Sequence, residues 1–168
     1  MIEILVVVAI IAILAAIIVV GLGSVRRAGR DARRLADVKE IQTGLELYFN
    51  HFGRYVNGTG GAATLPTGAG YVAPTVGPTC TGTGGGANWG IVQGTLACSG
   101  IGVTAIGDDP GAPSQHYIYD EKDANGTAYY LGALLEDSAN PVLVGSVHGT
   151  VGQHNMNCAT PIYCVASS

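Results

Sequence analysis

The first 25 residues form an almost uninterrupted apolar run. No charged side chain occurs over residues 4–25, and nearly every residue there is Ile, Leu, Val or Ala. A helix of about 20 apolar residues is long enough to cross a bilayer. One residue breaks the pattern, because the carboxylate of Glu3 stands at the head of the run. A charge placed deep in lipid costs about 2.5–3.5 kcal/mol on insertion scales, so the presence of Glu3 needs a reason.

Three interpretations of this run compete. A secretory signal peptide would need a basic segment before a short apolar core, whereas no basic residue precedes this long run. An ordinary membrane anchor with Glu3 at the interface is the simplest interpretation. The third is a helix that waits in the membrane and later packs against copies of itself. Glu3 would then meet a partner charge, most simply the α-amino group of a neighbouring chain, because a buried charge is tolerated only when it is paired.

An apolar stripe at helical spacing predicts that the helix continues over residues 26–52. Its members recur every three or four residues: Ala28, Ala32, Leu35, Val38, Ile41, Leu45, Tyr48 and Phe52. Most charged side chains, Arg34 among them, lie off the stripe, and the arginines are expected on a solvated or inter-subunit face. Arg33 and Asp37 are four residues apart and can pair. Gly53 is expected to end the helix.

A helix of this length cannot be covered by the rest of the chain. At 1.5 Å per residue it would extend for about 75 Å, so its front half must be buried in lipid or in other subunits. Gly21 and Gly23 lie within the apolar run. Each glycine lowers helix propensity by up to about 1 kcal/mol, and the pair is the expected place for local melting. The alternative is that two small residues allow close helix packing.

Residues 53–168 have a different composition and predict a globular head. As far as Gly100 the chain is rich in Gly, Thr, Ala and Pro, which predicts surface loop with short strands such as 89–92. Later runs rich in Tyr, Val and Ile predict strands over 116–119, 128–135, 142–147 and 162–165. Turn signals between them, such as Asn125-Gly126, predict antiparallel hairpins. A sheet packed on the apolar stripe gives an α+β fold, with a long N-terminal α-helix and a C-terminal antiparallel β-sheet head.

Charge is divided unevenly between the helix and the head. Residues 1–54 carry seven basic and five acidic groups, a net of +2. Residues 55–168 carry one basic and seven acidic groups, a net of −6, and the two parts give the total of −4. Nucleic acid is therefore not expected as a partner, because phosphate binding needs Lys and Arg.

Residues that could carry chemistry are few. The chain contains no nucleophile elbow, phosphate-binding loop or zinc-protease motif, so neither an enzyme activity nor a cofactor is expected. Ser146 and His148 are close in sequence but lack the arrangement of a nucleophile and its base. Asp120, Asp123 and Asn125 form an acidic loop that is a weak candidate for Ca²⁺. Their spacing does not match a calcium loop, and a plain hairpin turn is favoured.

The cysteines and two short motifs bear on the compartment. The chain has four cysteines: Cys80, Cys98, Cys158 and Cys164. Four cysteines allow three pairings, and local pairing, Cys80 with Cys98 and Cys158 with Cys164, is the preferred prediction. An even number in a small head fits an oxidising, extracytoplasmic compartment. Asn57 and Asn125 each begin an N-glycosylation sequon, a short motif that is often unused.

The residues described so far resemble a known family. The run IEILVVVAIIAILAAI is similar to the N-terminal methylation-motif helix of type IV pilins and type II secretion pseudopilins, with residues 2–7 and 9–16 aligned without gaps. Further on, Asp109-Pro110, Tyr117-Ile118-Tyr119 and Tyr129-Tyr130-Leu131 resemble a pattern of pseudopilin-like domains. The resemblance is strong over about the first third of the chain and weak after it.

This resemblance implies a fold and a function. It implies a type IV pilin fold and a major pilin, a structural subunit that polymerises into an extracellular filament for adhesion or motility. Residues 1–25 would be the transmembrane and filament-core helix, 26–52 its amphipathic continuation and 53–168 the head. Glu3 would pair with the N-terminus of a neighbouring subunit. The implied partners are other copies of the chain, the membrane before assembly, a prepilin peptidase, an assembly ATPase and a platform protein.

The front of the chain departs from the family pattern. By alignment, family members have two more residues before the acidic one and a leader before those, so we expect either an internal methionine at position 1 or different processing. Five arginines follow the apolar run and no basic residue precedes it. Taken alone, this bias would place the head in the cytoplasm, whereas the cysteines indicate the outside. A cleaved basic leader would remove the contradiction.

Two other classes of function stay open. The chain could be a type II secretion pseudopilin that acts as a piston, which short assemblies and a calcium site in the head would favour. It could also be a monomeric membrane-anchored extracellular binding module. In that case a Glu3→Ala substitution would leave its behaviour unchanged.

Overall fold

A computed structural model describes residues 2–56, 87–103, 106–112, 114–123 and 125–167, without the side chains of 18–22 and 87–91. The long helix α1 spans Ile2–Phe52, or 51 residues. It ends as predicted at Gly53, whose φ of +73° is in the left-handed region that favours glycine. The backbone N–H of Gly53 donates to the carbonyl of Phe49 at 2.7 Å, which satisfies one of the last free carbonyls of the helix.

The second half of α1 packs its apolar stripe against the head. Four members of the stripe, Val38, Ile41, Leu45 and Tyr48, are 0–2% exposed. Leu35 and Phe52 are partly buried at the two ends of the same core. The prediction is wrong for the first two members, because Ala28 and Ala32 are exposed. In the described part of the chain, burial of the helix by the head begins at about residue 30.

A second helix, α2, spans Ala87–Cys98, where a strand over 89–92 was predicted. Val92 and Leu96 lie one turn apart and are both fully buried, so this segment buries its apolar side chains at helical spacing rather than by alternation. α2 contacts both α1 and the sheet. It approaches α1 closely at Gly44, where even a single added Cβ would lie 3.6 Å from Leu96.

The head contains a three-stranded antiparallel sheet. Strands β1 (Ile118–Glu121), β2 (Tyr129–Leu134) and β5 (Ile162–Ala166) lie in the order β1-β2-β5. In this register Tyr119 pairs with Leu131, and Leu131 pairs in turn with Val165. The turn between β1 and β2 contains Asn125-Gly126, as predicted. The three predicted strands over 116–119, 128–135 and 162–165 are therefore confirmed, with shifted ends.

Two elements differ from the prediction. The predicted strand over 142–147 is wrong, since a 3-10 helix occupies Pro141–Gly145. The Asn140 side chain accepts a hydrogen bond from the backbone N–H of Val142, and Pro141 lacks the N–H that a helix start would leave unpaired, so both residues favour a helix start. The strands β3 (Thr150–Val151) and β4 (Met156–Asn157) form a separate short hairpin.

Tyrosines fill much of the space between α1 and the sheet. Tyr119 and Tyr129 stack with ring centroids 5.9 Å apart, and Tyr55 meets Tyr129 edge-on at 4.7 Å. The hydroxyl of Tyr117 donates to Asp37 at 2.6 Å, and that of Tyr119 donates to the carbonyl of Val56 at 2.7 Å. These two hydrogen bonds let the large side chains of Tyr117 and Tyr119 be buried with their hydroxyls paired. The molecule is an α+β protein with a long N-terminal helix.

Candidate functional site

The front part of α1 presents an apolar surface that the described part of the head does not cover. Eleven large apolar side chains between residues 2 and 17 are 52–77% exposed. They are Ile2, Ile4, Leu5, Val6, Val7, Val8, Ile10, Ile11, Ile13, Leu14 and Ile17. We call residues 2–17 the apolar segment. A continuous exposed apolar surface of this kind is typical of an interaction site rather than of a free monomer surface.

No helix in the part of the chain whose side chains are described is long and apolar enough to cross a membrane.

Glu3 is exposed in the first turn of α1. A carboxylate there interacts favourably with the positive end of the helix dipole, which gives Glu3 a modest stabilising role within one chain. Arg30 of the same helix bonds to Glu136 of the head, and 27 residues of helix separate Glu3 from Arg30 by about 40 Å. Among the described residues, the bonds shown between helix and head therefore lie far from this carboxylate.

The two glycines predicted to allow melting lie inside a continuous helix. The backbone of α1 is helical through both Gly21 and Gly23. A Cβ added at Gly23 would meet nothing within 4 Å, so the helix is uncrowded there in a single chain. Melting was predicted for the assembled state and stays a prediction.

A buried ion cluster joins the head to α1 a few residues after the apolar run of residues 1–25 ends. The cluster consists of Asp31, Arg34, Asp109 and Glu136, and the first three are 1–3% exposed. The guanidinium of Arg34 donates to both oxygens of Asp109, through Nε at 2.8 Å and Nη2 at 3.0 Å. Its Nη1 donates to Asp31 at 2.8 Å and to Glu136 at 3.1 Å. Arg34 thus binds helix and head at once, in the two-pronged geometry that suits a carboxylate.

Other contacts of the cluster involve the loop after β2. The carboxylate of Asp31 accepts hydrogen bonds from the backbone N–H groups of Glu136 at 2.9 Å and Asp137 at 3.0 Å. Arg30 donates to Glu136 through Nε at 2.6 Å and through Nη2. The burial of Arg34 contradicts the solvated or inter-subunit face predicted for it. Asp109 belongs to the Asp-Pro pair singled out in the sequence, and that pair was the available signal for this contact.

Two groups of the cluster have shifted pKa values. The hydrogen bonds to Asp109 first, and then to Asp31, raise the pKa of Arg34 above its usual value, although desolvation acts in the opposite direction. The hydrogen bond from Arg30 is the main cause that lowers the pKa of Glu136 to about 2. Both groups therefore stay charged across the physiological range, and the cluster acts as a permanent connection between helix and head.

Of the residues considered for calcium, Asp120 has different partners from Asp123 and Asn125. Asp120 is buried and contacts Nδ1 of His154 at 2.7 Å. Asp123 instead stabilises the β1–β2 turn, where it accepts bonds from the backbone N–H of Asn125 at 2.9 Å and from Thr127. Within the described ranges no three His, Cys, Asp or Glu side chains are grouped as a metal site would require.

Ser146 and His148 have separate surroundings. The Ser146 hydroxyl accepts from the backbone N–H of Cys164 at 2.8 Å and donates towards the Cys164 carbonyl at 3.2 Å, which ties the loop to β5. His148 is exposed. Apart from the contact of His154 with Asp120, a second histidine contacts an aspartate: His116 Nδ1 lies 3.0 Å from a carboxylate oxygen of Asp108. The hydroxyl of Ser146 is thus used for backbone bonding rather than held for attack on a substrate.

The cysteines follow the predicted local pairing as far as the structure describes them. Cys158 and Cys164 form a disulfide, which confirms that pair. Cys98 is also disulfide-bonded, and Cys80, its predicted partner, lies outside the described residues. Of the two sequon asparagines, Asn125 is exposed in the β1–β2 turn, and Asn57 lies outside the described residues.

Comparison with known proteins identifies no relative of this chain. No protein-family model matches the chain, and neither a curated protein nor a solved structure matches it.

Proposed function

We propose that this chain is the structural subunit of an extracellular, type IV pilus-like filament, assembled through its N-terminal helix and serving adhesion or motility. The observation that carries the proposal is the apolar segment, sixteen residues of helix that extend beyond the head with their apolar side chains exposed. In this proposal the chain has the type IV pilin fold, with the helix forming the core of the filament and the heads forming its surface.

The energetics of the apolar segment support self-assembly. Burying a Val, Leu or Ile side chain is worth about 1.5–3 kcal/mol, so the eleven exposed side chains offer on the order of 10 kcal/mol or more before the costs of association. At about 25 cal/mol per Å², the corresponding apolar area is on the order of 700–1,300 Å², and a standard stable interface buries about 800 Å² on each partner. A subunit that buries this surface against several neighbours gains more than a dimer would.

Glu3 supports an ordered assembly rather than unspecific aggregation. A carboxylate taken into an apolar helix bundle is stable only with a partner charge, and the Arg30–Glu136 contact between helix and head lies about 40 Å away along the helix. In the proposed filament Glu3 pairs with the N-terminus of a neighbouring subunit. This requirement selects one register among the many that apolar packing alone would allow.

The apolar run, the disulfide and the acidic head indicate the compartments in which the proposed subunit would act. Before assembly the apolar segment and its continuation to residue 25 would be held in the membrane, and the disulfide-bonded head would lie outside. A prepilin peptidase, an assembly ATPase and a platform protein would process and extract the subunit. The acidic head, with a net charge of −6 over residues 55–168, would face solvent.

The first prediction concerns Glu3. A Glu3→Gln substitution keeps the size of the side chain and removes its charge, so the partner charge in the assembly is left unpaired. Removal of one member of a buried ion pair costs about 3–5 kcal/mol, and we expect the yield of filaments sheared from native cells to fall at least tenfold. The measurement is the amount of subunit in sheared filaments, seen by electron microscopy, relative to the amount in cells.

The matched control is Glu40→Gln, the same change at an exposed glutamate of the same helix within the part that packs on the head. It should leave the filament yield unchanged. Helical reconstruction of wild-type filaments would then show which group Glu3 contacts. If wild-type cells yield only monomer in the membrane fraction, the filament proposal is wrong and the anchored binding module is favoured. Short assemblies that form only with a secretion machinery would favour the pseudopilin.

A further inference from the structure

A groove of 640 Å³ lies between α1 and the loop that follows β2, beside the end of the apolar run. Its lining includes Arg27 and Asp31 from the helix and Glu136, Asp137 and Asn140 from the loop. We call it the polar groove. Its volume falls in the range of about 300–1,000 Å³ that is usual for small-molecule sites. A ligand for this groove is therefore small, and it must match charged and hydrogen-bonding groups.

Two of the three carboxylates in the polar groove are already paired with arginines. Asp31 accepts a hydrogen bond from Nη1 of Arg34 at 2.8 Å, and Glu136 accepts one from the same nitrogen at 3.1 Å. Glu136 also accepts from Nε of Arg30 at 2.6 Å. Both carboxylates belong to the ion cluster that joins helix and head, so a ligand has to be recognised by other groups.

Arg27 and Asp137 are the charged groups that remain for a ligand. Both residues are exposed, and neither forms an ion pair with a described residue. One oxygen of the Asp137 carboxylate accepts from the backbone N–H of Ala139 at 2.9 Å, which leaves the other oxygen. The amide oxygen of Asn140 accepts from the backbone N–H of Val142, so its NH2 group is left as a donor. The groove thus offers a guanidinium, a carboxylate and an amide donor to one ligand.

The position of the polar groove along α1 corresponds to the headgroup layer of a bilayer. In the proposed function, residues up to 25 lie in the membrane before assembly. As a helix, residues 4–25 extend for about 33 Å, close to the thickness of about 30 Å of a hydrocarbon core. Arg27 follows about 3 Å further along the axis. The groove therefore opens among the headgroups, while Val25, which is 66% exposed, lies beside the acyl chains.

We propose that the polar groove binds the headgroup of a zwitterionic aminophospholipid, of the phosphatidylethanolamine class, while the subunit is held in the membrane. This inference rests on the proposed function and names a lipid partner for the subunit before assembly. The guanidinium of Arg27 binds the phosphate, with the two-pronged geometry that arginine offers. The carboxylate of Asp137 accepts from the amine, and the acyl chains lie along the exposed apolar side chains of the helix.

The charge next to the groove favours a headgroup with an amine over a purely anionic one. The ion cluster contains three carboxylates and two arginines, namely Asp31, Asp109, Glu136, Arg30 and Arg34. It therefore carries an excess of one negative charge. A headgroup with only a phosphate would place a second negative charge near this excess, whereas the amine of a zwitterionic headgroup compensates it. A choline headgroup has the same charges but no N–H to donate.

The test compares two neighbouring arginines. Arg27→Gln removes the cation that lines the polar groove, and Arg26→Gln makes the same change at an exposed arginine that does not line it. The full chain in nonionic detergent is titrated with dioleoylphosphatidylethanolamine, and native mass spectrometry measures the fraction of chains that retain one lipid. We expect Arg27→Gln to weaken retention about tenfold, because a charged hydrogen bond is lost, and Arg26→Gln to change it less than about twofold. Both variants should keep the near-ultraviolet circular dichroism of the head, since both sites are exposed.

A third variant tests the recognition of the amine. Asp137→Asn keeps an oxygen for the backbone N–H of Ala139 and removes the negative charge. The wild-type chain should retain dioleoylphosphatidylethanolamine in preference to dioleoylphosphatidylglycerol and dioleoylphosphatidylcholine, and Asp137→Asn should retain all three to a similar extent. Equal losses for the two arginine variants, an unchanged preference in Asp137→Asn, or a wild-type chain that retains no lipid would each overturn the proposal.

This experiment uses the unassembled chain, so its result does not depend on filament formation. Filaments formed by a chain that retains no aminophospholipid would overturn the lipid proposal and leave the proposed function standing. A chain that retains the lipid through Arg27 but never assembles would overturn the proposed function and leave the lipid site standing.

Discussion

Arg34 is the residue at which the long helix and the head are held together. It is 1% exposed, and it donates five hydrogen bonds, to Asp109, Asp31, Glu136 and Gln115. Its position in the sequence, among five arginines that follow an apolar run, suggested a solvated face. The periodicity of apolar residues cannot identify a buried arginine, because the partners that make its burial possible lie 75 and 102 residues away.

Replacement of Arg34 should therefore destabilise the head strongly. Arg34→Met keeps much of the side-chain volume but leaves the buried carboxylates of Asp31 and Asp109 without their counter-charge. We expect the free energy of unfolding to fall by about 3–5 kcal/mol. The measurement is urea unfolding of the full chain in detergent, followed by the near-ultraviolet circular dichroism of the head tyrosines.

Arg33→Met is the matched control, because Arg33 is 61% exposed and contacts Asp37 at 3.6 Å on the surface. An exposed pair of this kind contributes less than about 1 kcal/mol. Equal losses for the two variants would show that the buried cluster does not connect helix and head in the way described.

Glu136 gives the same cluster a defined dependence on pH. Hydrogen bonding from Arg30 lowers its folded-state pKa from 4.5 to about 2. The stabilisation is therefore complete above the unfolded-state value and is lost as the pH falls from 4.5 through about 2. We expect the stability difference between wild type and Glu136→Gln to be about 1 kcal/mol at pH 7, since the side chain is 24% exposed, and to vanish near pH 2. A difference that stays constant over this range would contradict the assignment.

At the scale of elements, three parts of the head differ from the prediction: α2, the 3-10 helix and the β3–β4 hairpin. Segment 89–92 was predicted as strand from its composition, yet it lies in α2, which buries Val92 and Leu96 on one side. Segment 142–147 has the apolar composition of a strand, yet Asn140 and Pro141 start a 3-10 helix there. Short apolar runs are compatible with either structure, and the neighbours that they contact decide between them.

The β3–β4 hairpin offers a test at this scale. Gly152 lies in its turn with φ +76°, and an added Cβ would overlap the carboxylate of Asp120. Asp120 in turn bonds His154 of the same hairpin, through its backbone N–H at 2.9 Å and its ring at 2.7 Å. We expect Gly152→Ala to lower the free energy of unfolding by about 2–4 kcal/mol, from backbone strain and displacement of the aspartate together.

Gly149→Ala separates these two causes. Gly149 has φ +90°, but a Cβ added there would meet nothing within 4 Å. Its substitution should cost only the strain of the left-handed backbone, about 1–2 kcal/mol. Thermal unfolding of the two variants measures the difference, and identical midpoints would show that Asp120 does not hold the hairpin.

Within the described residues, the molecule divides into an exposed apolar helix end and a head that packs on the second half of α1. The core is formed by the second half of α1, α2 and the three-stranded sheet, with tyrosines between them. The apolar segment is exposed at the front of the same helix. At this scale the filament experiment with Glu3→Gln asks whether copies of the chain cover the apolar segment.

The sequence by itself determined the long helix, its end at Gly53 and the three main strands, and it favoured the local Cys158–Cys164 pairing among the three that four cysteines allow. These features depend on neighbours in sequence: apolar spacing, turn residues and short loops. Only the tertiary structure decided that Arg34 is buried, that Ala28 and Ala32 are not, and that a groove lies between them and the loop after β2. These features depend on where the head ends along the helix, and contacts between residues far apart in sequence set that limit.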